Sequence, residues 1–427
     1  MLDLLSVELI ELIAHSLDDR VELLALRLVC RHLCEATSVL FARDWFTTLT
    51  IDFTPRSLIR LTNITRYEYL TLAVRCLQIA DCFRPPIVRP LGVHVHDRPA
   101  RVLGEGLPWP RLENGNLDLT SRLVNDFMAL IARFSLCTEI CVTDGLDELP
   151  QDDDDTDTKL TPLDACYIMF SLLEKHGGFQ IQSFTIRLDR SLHLGGNTAQ
   201  LPQGLADLLV RTSWPSHLKQ LNIAWELNHE LVNRTMDLIS TATCLQCLRL
   251  SFPGSPLSET MLQLLSQAPR IPALTELKLS SIQWLTPNTL SGSVARFQES
   301  LKSLHIDHLN LSEGDFNTFF GLLADQNLPA LESITVADCF RVFFCPLRVK
   351  ADTLERCGGR FEFTLRHFRR KSRVSGVRYC GSGEGMRLTL QTLADNSSYR
   401  VGAGPSSPGL MIEYVGDLVG HVVEKFI

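Results

Sequence analysis

The chain has 427 residues, 45% of them hydrophobic and 21% charged, which excludes a mainly disordered protein and supplies apolar material for an extended core. Its net charge of -8 excludes broad electrostatic capture of nucleic acid or anionic membrane, since both need a surplus of Lys and Arg. A protein partner is the expectation. No apolar run reaches the roughly 18–20 residues of a membrane-spanning helix, and Met1–Leu5 lacks the basic region and small-residue cleavage site of a secretory signal. The 13 cysteines are irregularly spaced among apolar neighbours, as in Cys166-Tyr167-Ile168-Met169, which suits reduced core thiols and a cytoplasmic or nuclear location. On that reading the glycosylation sequons at Asn63, Asn233, Asn310 and Asn396 are chance matches.

In chain order, the first elements are helical. Leu5-Ser6-Val7-Glu8-Leu9-Ile10 is followed by Ile13 and Leu17-Asp18, then by Leu23-Leu24-Ala25-Leu26-Arg27-Leu28-Val29-Cys30-Arg31. From Val21 to Cys30 only Glu22 and Arg27 are polar, so the predicted helix is apolar almost all round and needs burial on most sides. Three short helices ending near Trp45 hold too little core to provide that burial alone, which calls for a partner surface. A helical cap over a following array is the plainer reading, but caps rarely need a helix apolar on every side.

Taken together, these elements resemble the F-box family over about a tenth of the chain, with Ser6 where the family usually has proline and Leu33 where an aromatic is frequent. The resemblance implies docking on the Skp adaptor of cullin-based ubiquitin ligases. It carries Leu5, Ser6, Leu9, Ile10, Ile13, Leu24, Leu28 and Val29 over as adaptor contacts or their immediate support. Spacing alone does not divide these between core and interface.

Residues 46–115 read as a linker and an irregular first repeat region, with Val74/Leu77/Ile79 a candidate first copy. From 116 to 350 one pattern returns: Leu245/Leu248/Leu250, Leu274/Leu277/Leu279, Leu301/Leu304/Ile306 and Leu331/Ile334/Val336, starting about 27–30 residues apart. Weaker copies are Cys137/Ile140/Val142, Ile181/Phe184/Ile186 and Leu218/Leu221/Ile223. Between them, Leu257, Met261, Leu264, Leu265 and Ala268, and again Phe316, Phe319, Phe320 and Leu323, have the spacing of one buried helix face. Ser312, Thr161-Pro162 and Thr286-Pro287 read as helix starts. The expected fold class is α/β: a three-helix F-box, then an irregular leucine-rich repeat solenoid with parallel strands on its concave face and helices on its convex face. Ile282, Leu309 and Cys339 occupy the position that usually holds a buried asparagine or cysteine, so no asparagine ladder is expected. The acidic run Gln151–Asp157 reads as a solvated loop, and residues 351–427 as a C-terminal cap or tail.

Strand parity turns the alternate residues outward: Thr185 and Arg187, Gln220 and Asn222, Arg249 and Ser251, Glu276, Lys278 and Ser280, His305 and Asp307, and Thr335. Of these, Arg187, Asn222, Arg249, Glu276, Lys278, His305 and Asp307 are the candidate target-binding residues. Arg187, Arg249 and Lys278 suggest a basic row beside Glu276 and Asp307, suited to a mixed or modestly acidic partner face.

Catalytic motifs do not appear: Gly381-Ser382-Gly383-Glu384-Gly385 lacks the Lys-Ser/Thr of a phosphate loop, and Cys244-Leu245-Gln246-Cys247 lacks a second ligand pair for zinc. His305 and His308 read as surface residues, and His367–Arg373 as a solvated turn rather than a nuclear-import signal or phosphate patch. No cofactor, metal or enzymatic activity is expected. The combined expectation is a substrate-recognition subunit of a Skp-cullin-F-box ubiquitin ligase acting in ubiquitin-dependent protein degradation. A non-catalytic leucine-rich repeat scaffold or assembly protein stays open as the alternative.

Overall fold

A computed structural model describes residues 5–17, 19–51, 55–80, 109–112, 117–143, 162–175, 179–188, 214–326, 328–337, 339–341, 345–348, 360–368, 371–381, 383–396 and 398–399. Asp18, Thr161, the acidic run 151–157, Ser382 and the Arg369-Arg370 pair lie outside them. The chain is mixed α/β with a mostly parallel sheet, and divides into two compact units, residues 1–191 with 202–214 and residues 192–201 with 215–427.

The first unit opens with four helices rather than the three expected: α1 Val7–His15, α2 Arg20–Val29, α3 Arg31–Ala36 and α4 Ser38–Trp45. Asp19 caps α2, its carboxylate accepting the Val21 N–H at 2.9 Å. Two small clusters close the bundle: Ile10 with Leu33 and Ala36, and Ala14 with Leu23 and Leu40. Arg27 turns inward, its guanidinium 4.1 Å above the Phe41 ring while donating to the Cys34 carbonyl at 3.0 Å and the Thr37 hydroxyl at 3.1 Å. Its charge is solvated by the fold itself.

Four parallel strands follow, β1 Thr48–Ile51, β2 Cys76–Ala80, β3 Glu139–Thr143 and β4 Ser183–Leu188, paired in sequence order. β1 lies in the stretch read as a linker. Helices α5 Pro55–Ile64, α6 Glu68–Thr71, α7 Arg122–Ile131 and α8 Pro162–Lys175 connect them. From Asp164 to Leu173 every residue of α8 is buried, which a helix tolerates only when almost every side chain is apolar.

In the second unit, β5 Gln220–Trp225, β6 Cys247–Ser251, β7 Glu276–Ser280, β8 Ser303–Asp307 and β10 Ser333–Ala337 form a parallel run with an unshifted register. Parallel neighbours need crossovers, here α9 His229–Thr241, α10 Ser258–Gln267, α11 Pro287–Ala295 and α12 Phe316–Asp325. Leu248, Leu250, Leu277, Leu279, Leu304, Ile306, Ile334 and Val336 are all at most 1% exposed, so alternation places one face of every strand in the core. Ile282, Leu309 and Cys339 are also fully buried. Where an asparagine ladder would run, main chain bonds main chain: Ser281 N–H to the Asp307 carbonyl at 3.0 Å and His308 N–H to the Ala337 carbonyl at 3.1 Å. Ser281 and His308 hold equivalent left-handed conformations, φ 52° and 53°.

The segment after 350 extends this sheet. β13 Arg360–Phe368 and β14 Lys371–Cys380 form an antiparallel hairpin, and β14 pairs antiparallel with β10. Of the basic 367–373 stretch, His367 and Phe368 end β13 and Lys371 to Arg373 begin β14, with His367 opposite Ser372 and Phe368 opposite Lys371. Gly383 (φ 57°) then leads into α13 Glu384–Asn396, which packs on α12. A smaller sheet joins β9 Asn310–Leu311, β11 Phe340–Arg341, β12 Cys345–Arg348 and β15 Ser398–Tyr399.

Helix starts follow local chemistry. Thr286 caps α11 ahead of Pro287, its hydroxyl accepting the Thr289 N–H at 3.3 Å and donating to Glu259 at 3.0 Å. Ser312 does not cap α12: Gly314 (φ 70°) breaks the chain first, and Asp315 accepts the Thr318 N–H at 2.8 Å. Thr286→Ala is expected to cost about 1 kcal/mol, read as faster hydrogen exchange at the α11 amides; unchanged exchange would mean that the cap contributes nothing.

Candidate functional site

Two surfaces collect the candidate residues, one in each unit. On the helical start, Leu9, Leu12 and Ile13 of α1 are 50%, 65% and 37% exposed, and Val21, Leu28 and Val29 of α2 are 65%, 86% and 67% exposed. Seven of the sixteen large apolar side chains exposed among the described residues fall between Val7 and Val29. Isolated exposed leucines mean little, but this density in two short helices does. The structure thus divides the set that spacing could not. Leu9, Ile13, Leu28 and Val29 face outward; Leu5 and Leu24 are half-buried; Ile10 is core, packed on Leu33 and Ala36. Within this chain only Leu23 of α2 is fully buried, so the burial that this helix was expected to need is not supplied by the chain itself.

Ser6 stands at the N-cap of α1 with φ -66° and ψ 155°, but its hydroxyl makes no backbone cap bond. The Glu8 backbone amide, assisted by the Ser6 hydroxyl, instead holds the Glu8 carboxyl below its usual range. Serine here supports a first-turn carboxylate at the positive end of the helix.

On the sheet of the second unit, register fixes which outward residues are neighbours. Asn222, Arg249, Lys278, His305 and Thr335 align on successive strands, and the row continues through Arg378 of β14, opposite Thr335, to Glu362 of β13. One row before it stand Gln220, Cys247, Glu276, Ser303, Ser333 and Cys380; one row after stand Ser280, Asp307 and Ala337. Arg187 belongs to the first unit, where β4 register sets it beside Thr143 and, through that, Ala80. Parity puts a residue on a face, but only register assigns its row.

Polar contacts on this face are specific. Arg249 pairs with Glu276 at 3.1 Å, and Asp307 with His308 Nδ1 at 2.7 Å. Ser303 Oγ lies 3.0 Å from His305 Nε2 and 2.8 Å from Ser333 Oγ. A serine–histidine hydrolytic pair needs an acid orienting the base, whereas Asp307, the carboxylate on the same strand, is engaged by His308. Burial lowers the His305 pKa; Lys278, Arg378 and Arg249 lower it further, and Glu276 opposes them.

That depression has a sign for stability. With the folded value below the ordinary 6.5, the unfolded chain binds more protons in that window. Stability from this group is therefore complete above the unfolded pKa and lost as pH falls below it toward the folded value. Unfolding free energies measured from pH 7.5 downward should decline more for the native chain than for His305→Gln; parallel curves would remove His305 as the cause.

Among the cysteines whose side chains are described, Cys137, Cys166, Cys247 and Cys339 are buried, Cys244 is exposed and the others are part-exposed. Burial pushes Cys137 up to about 12 and Cys76 up to about 11. Cys247 is buried and Cys244 exposed, so the paired spacing does not place the two thiols in one environment. Sequence reasoning missed Arg378 and the inward Arg27; the alternation Arg378-Tyr379-Cys380, with Tyr379 buried, was the available signal for the first. No protein-family model matches the chain, and no curated protein matches it.

Proposed function

We propose that the chain is a substrate-recognition subunit of a Skp-cullin-F-box ubiquitin ligase. In this reading the N-terminal helices are an F-box that docks the Skp adaptor, and the strand–helix array is an irregular leucine-rich repeat solenoid that holds a protein target. The observation that carries it is the concentration of exposed apolar residues on α1 and α2, Leu9, Leu12, Ile13, Val21, Leu28 and Val29, coinciding with the F-box-like motif. Such side chains gain about 1.5–3 kcal/mol each when removed from water, so a partner surface is their natural cover. The chain itself performs no bond chemistry in this role. It raises the effective concentration of a target lysine near the charged ubiquitin carrier.

Leu9→Asp with Leu28→Asp tests the docking assignment without touching the bundle core, since both side chains are at least half exposed. Adaptor co-purification should be abolished while hydrogen exchange in the second unit is unchanged; retained adaptor would refute the assignment. Ser6→Pro should tighten adaptor binding by at most about 1 kcal/mol, because φ -66° already matches proline and the free chain loses conformations. A clear loss of affinity by calorimetry would instead give the Ser6 hydroxyl a direct contact. The scaffold alternative shares the docking step and separates on one point, that no bound target is ubiquitinated.

A further inference from the structure

Beyond α1 and α2, the first unit carries a second exposed apolar surface. Helix α5 buries Ser57, Leu61 and Ile64 at helical spacing and turns Ile59, Arg60 and Asn63 outward, with Ile59 63% exposed. The chain then reverses: the Arg66 N–H donates to the Asn63 carbonyl at 3.3 Å and the Tyr67 N–H to the Ile64 carbonyl at 3.1 Å. That turn sets α6 and Tyr67, itself 53% exposed, beside the end of α5. With Phe46, which follows α4, they form an open cleft of about 410 Å³. Its floor is the buried pair Ile64 and Leu70, its walls are Phe46, Ile59 and Tyr67, and its polar groups are Arg60 and Asn63.

Charge says what covers it. From residue 46 to 75 the sequence holds Arg56, Arg60, Arg66 and Arg75 against Asp52 and Glu68, an excess of base in a chain of net charge -8. Arg60 donates to the Thr50 carbonyl and has no ion-pair partner among the described residues. A guanidinium carries five N–H donors in a planar fork, so one carbonyl leaves it able to take a carboxylate. The cleft therefore offers an apolar floor, exposed apolar walls and a cation at the rim, which is complementary to an apolar segment bearing an acid. Because it is open, it suits a chain laid across it better than an enclosed small molecule, which needs most of its surface covered. A nucleic acid needs a series of cations along its backbone and gains little from this floor.

We infer that the cleft binds a short segment of a partner protein in which two apolar residues precede an acidic one, the apolar pair lying against Ile59, Tyr67 and the floor and the carboxylate pairing with Arg60. The Asn63 amide supplies a donor and an acceptor for the main chain of that segment. The site lies outside α1 and α2 and does not depend on the proposed adaptor docking.

The full-length chain, labelled at isoleucine methyl groups, is titrated with a tetrapeptide of two leucines followed by two glutamates, blocked at both ends. The Ile59 and Ile64 resonances should move saturably. Counterparts ending in two lysines, or beginning with two serines, should bind at least about tenfold more weakly, the scale of one charge-assisted hydrogen bond. Arg60→Lys should keep most of the affinity, Arg60→Gln should lose about tenfold, and Arg60→Glu should turn the preference toward the lysine peptide. Ile59→Asp, read at Ile64, should abolish binding with thermal unfolding unchanged, since that side chain is mostly exposed. No saturable response, equal binding of the three peptides, or a preference that Arg60→Glu leaves in place would overturn the site. Decanoate moving the same resonances at lower concentration than the peptide would make the cleft an amphiphile site, and self-association lost in Ile59→Asp would make its occupant a second copy of this chain; either result overturns the assignment. Leu9→Asp with Leu28→Asp should bind the peptide normally, so failed docking and failed peptide binding are read separately.

Discussion

Phe319→Ala should destabilise the second unit by about 3–5 kcal/mol, the usual cost of emptying a buried aromatic site. Phe316, Phe319 and Phe320 of α12 are fully buried and form one ring cluster, with Phe319 centroids 6.2 Å from Phe316 at 88° and 5.3 Å from Phe320 at 52°. Edge-to-face and tilted pairs of this kind add to simple burial. The same helix packs against both α11 and α13, so the cavity weakens contacts on two sides. Since whole domains are stable by only about 5–15 kcal/mol, the loss is a large fraction of the total. Lys302→Ala provides the contrast: its pair with Glu332 at 3.0 Å has both side chains 58% exposed, and its removal should stay within about 0.5 kcal/mol. Amide exchange in α12 and denaturant unfolding would both report the difference, and equal effects for the two variants would mean that the ring cluster is not part of the stabilising core.

Asp164→Ala should cost the first unit about 2–3 kcal/mol. Asp164 lies in the first turn of α8 at 6% side-chain exposure and accepts from Arg111 at 2.8 and 3.4 Å. Breaking a buried pair usually costs about 3–5 kcal/mol because one charge keeps its desolvation and loses its partner. Arg111 remains 24% exposed and recovers some hydration, which places the expectation below that range. The carboxylate also sits at the positive end of a helix whose next nine residues are all buried. Exchange protection of the α8 amides should fall in Asp164→Ala and recover partly in Asp164→Asn; unaltered protection would show that the pair adds nothing to the packing of this helix.

The strands were readable because alternation is local: Leu277 and Leu279 reveal their face without reference to any other strand. Helix α11 was equally plain, since a hydroxyl followed by proline describes a start by itself. What escaped was non-local. Arg378 was overlooked because β14 reaches β10 from a distant, antiparallel segment. The cap of α12 moved from Ser312 to Asp315 because Gly314 holds a positive φ, which composition does not announce. In the helical start, only the fold places Arg27 against Phe41 and the Cys34 carbonyl. The exposed apolar residues of α2 remain the point where chain-internal packing stops accounting for the sequence.

The most direct test of the substrate-receptor account is therefore calorimetric titration of the purified full-length chain with purified Skp adaptor at several temperatures. The account predicts saturable one-to-one binding with a negative heat-capacity change, the mark of apolar surface leaving water, and its loss in Leu9→Asp with Leu28→Asp. No binding by the native chain, or binding that the double variant retains unchanged, would contradict it.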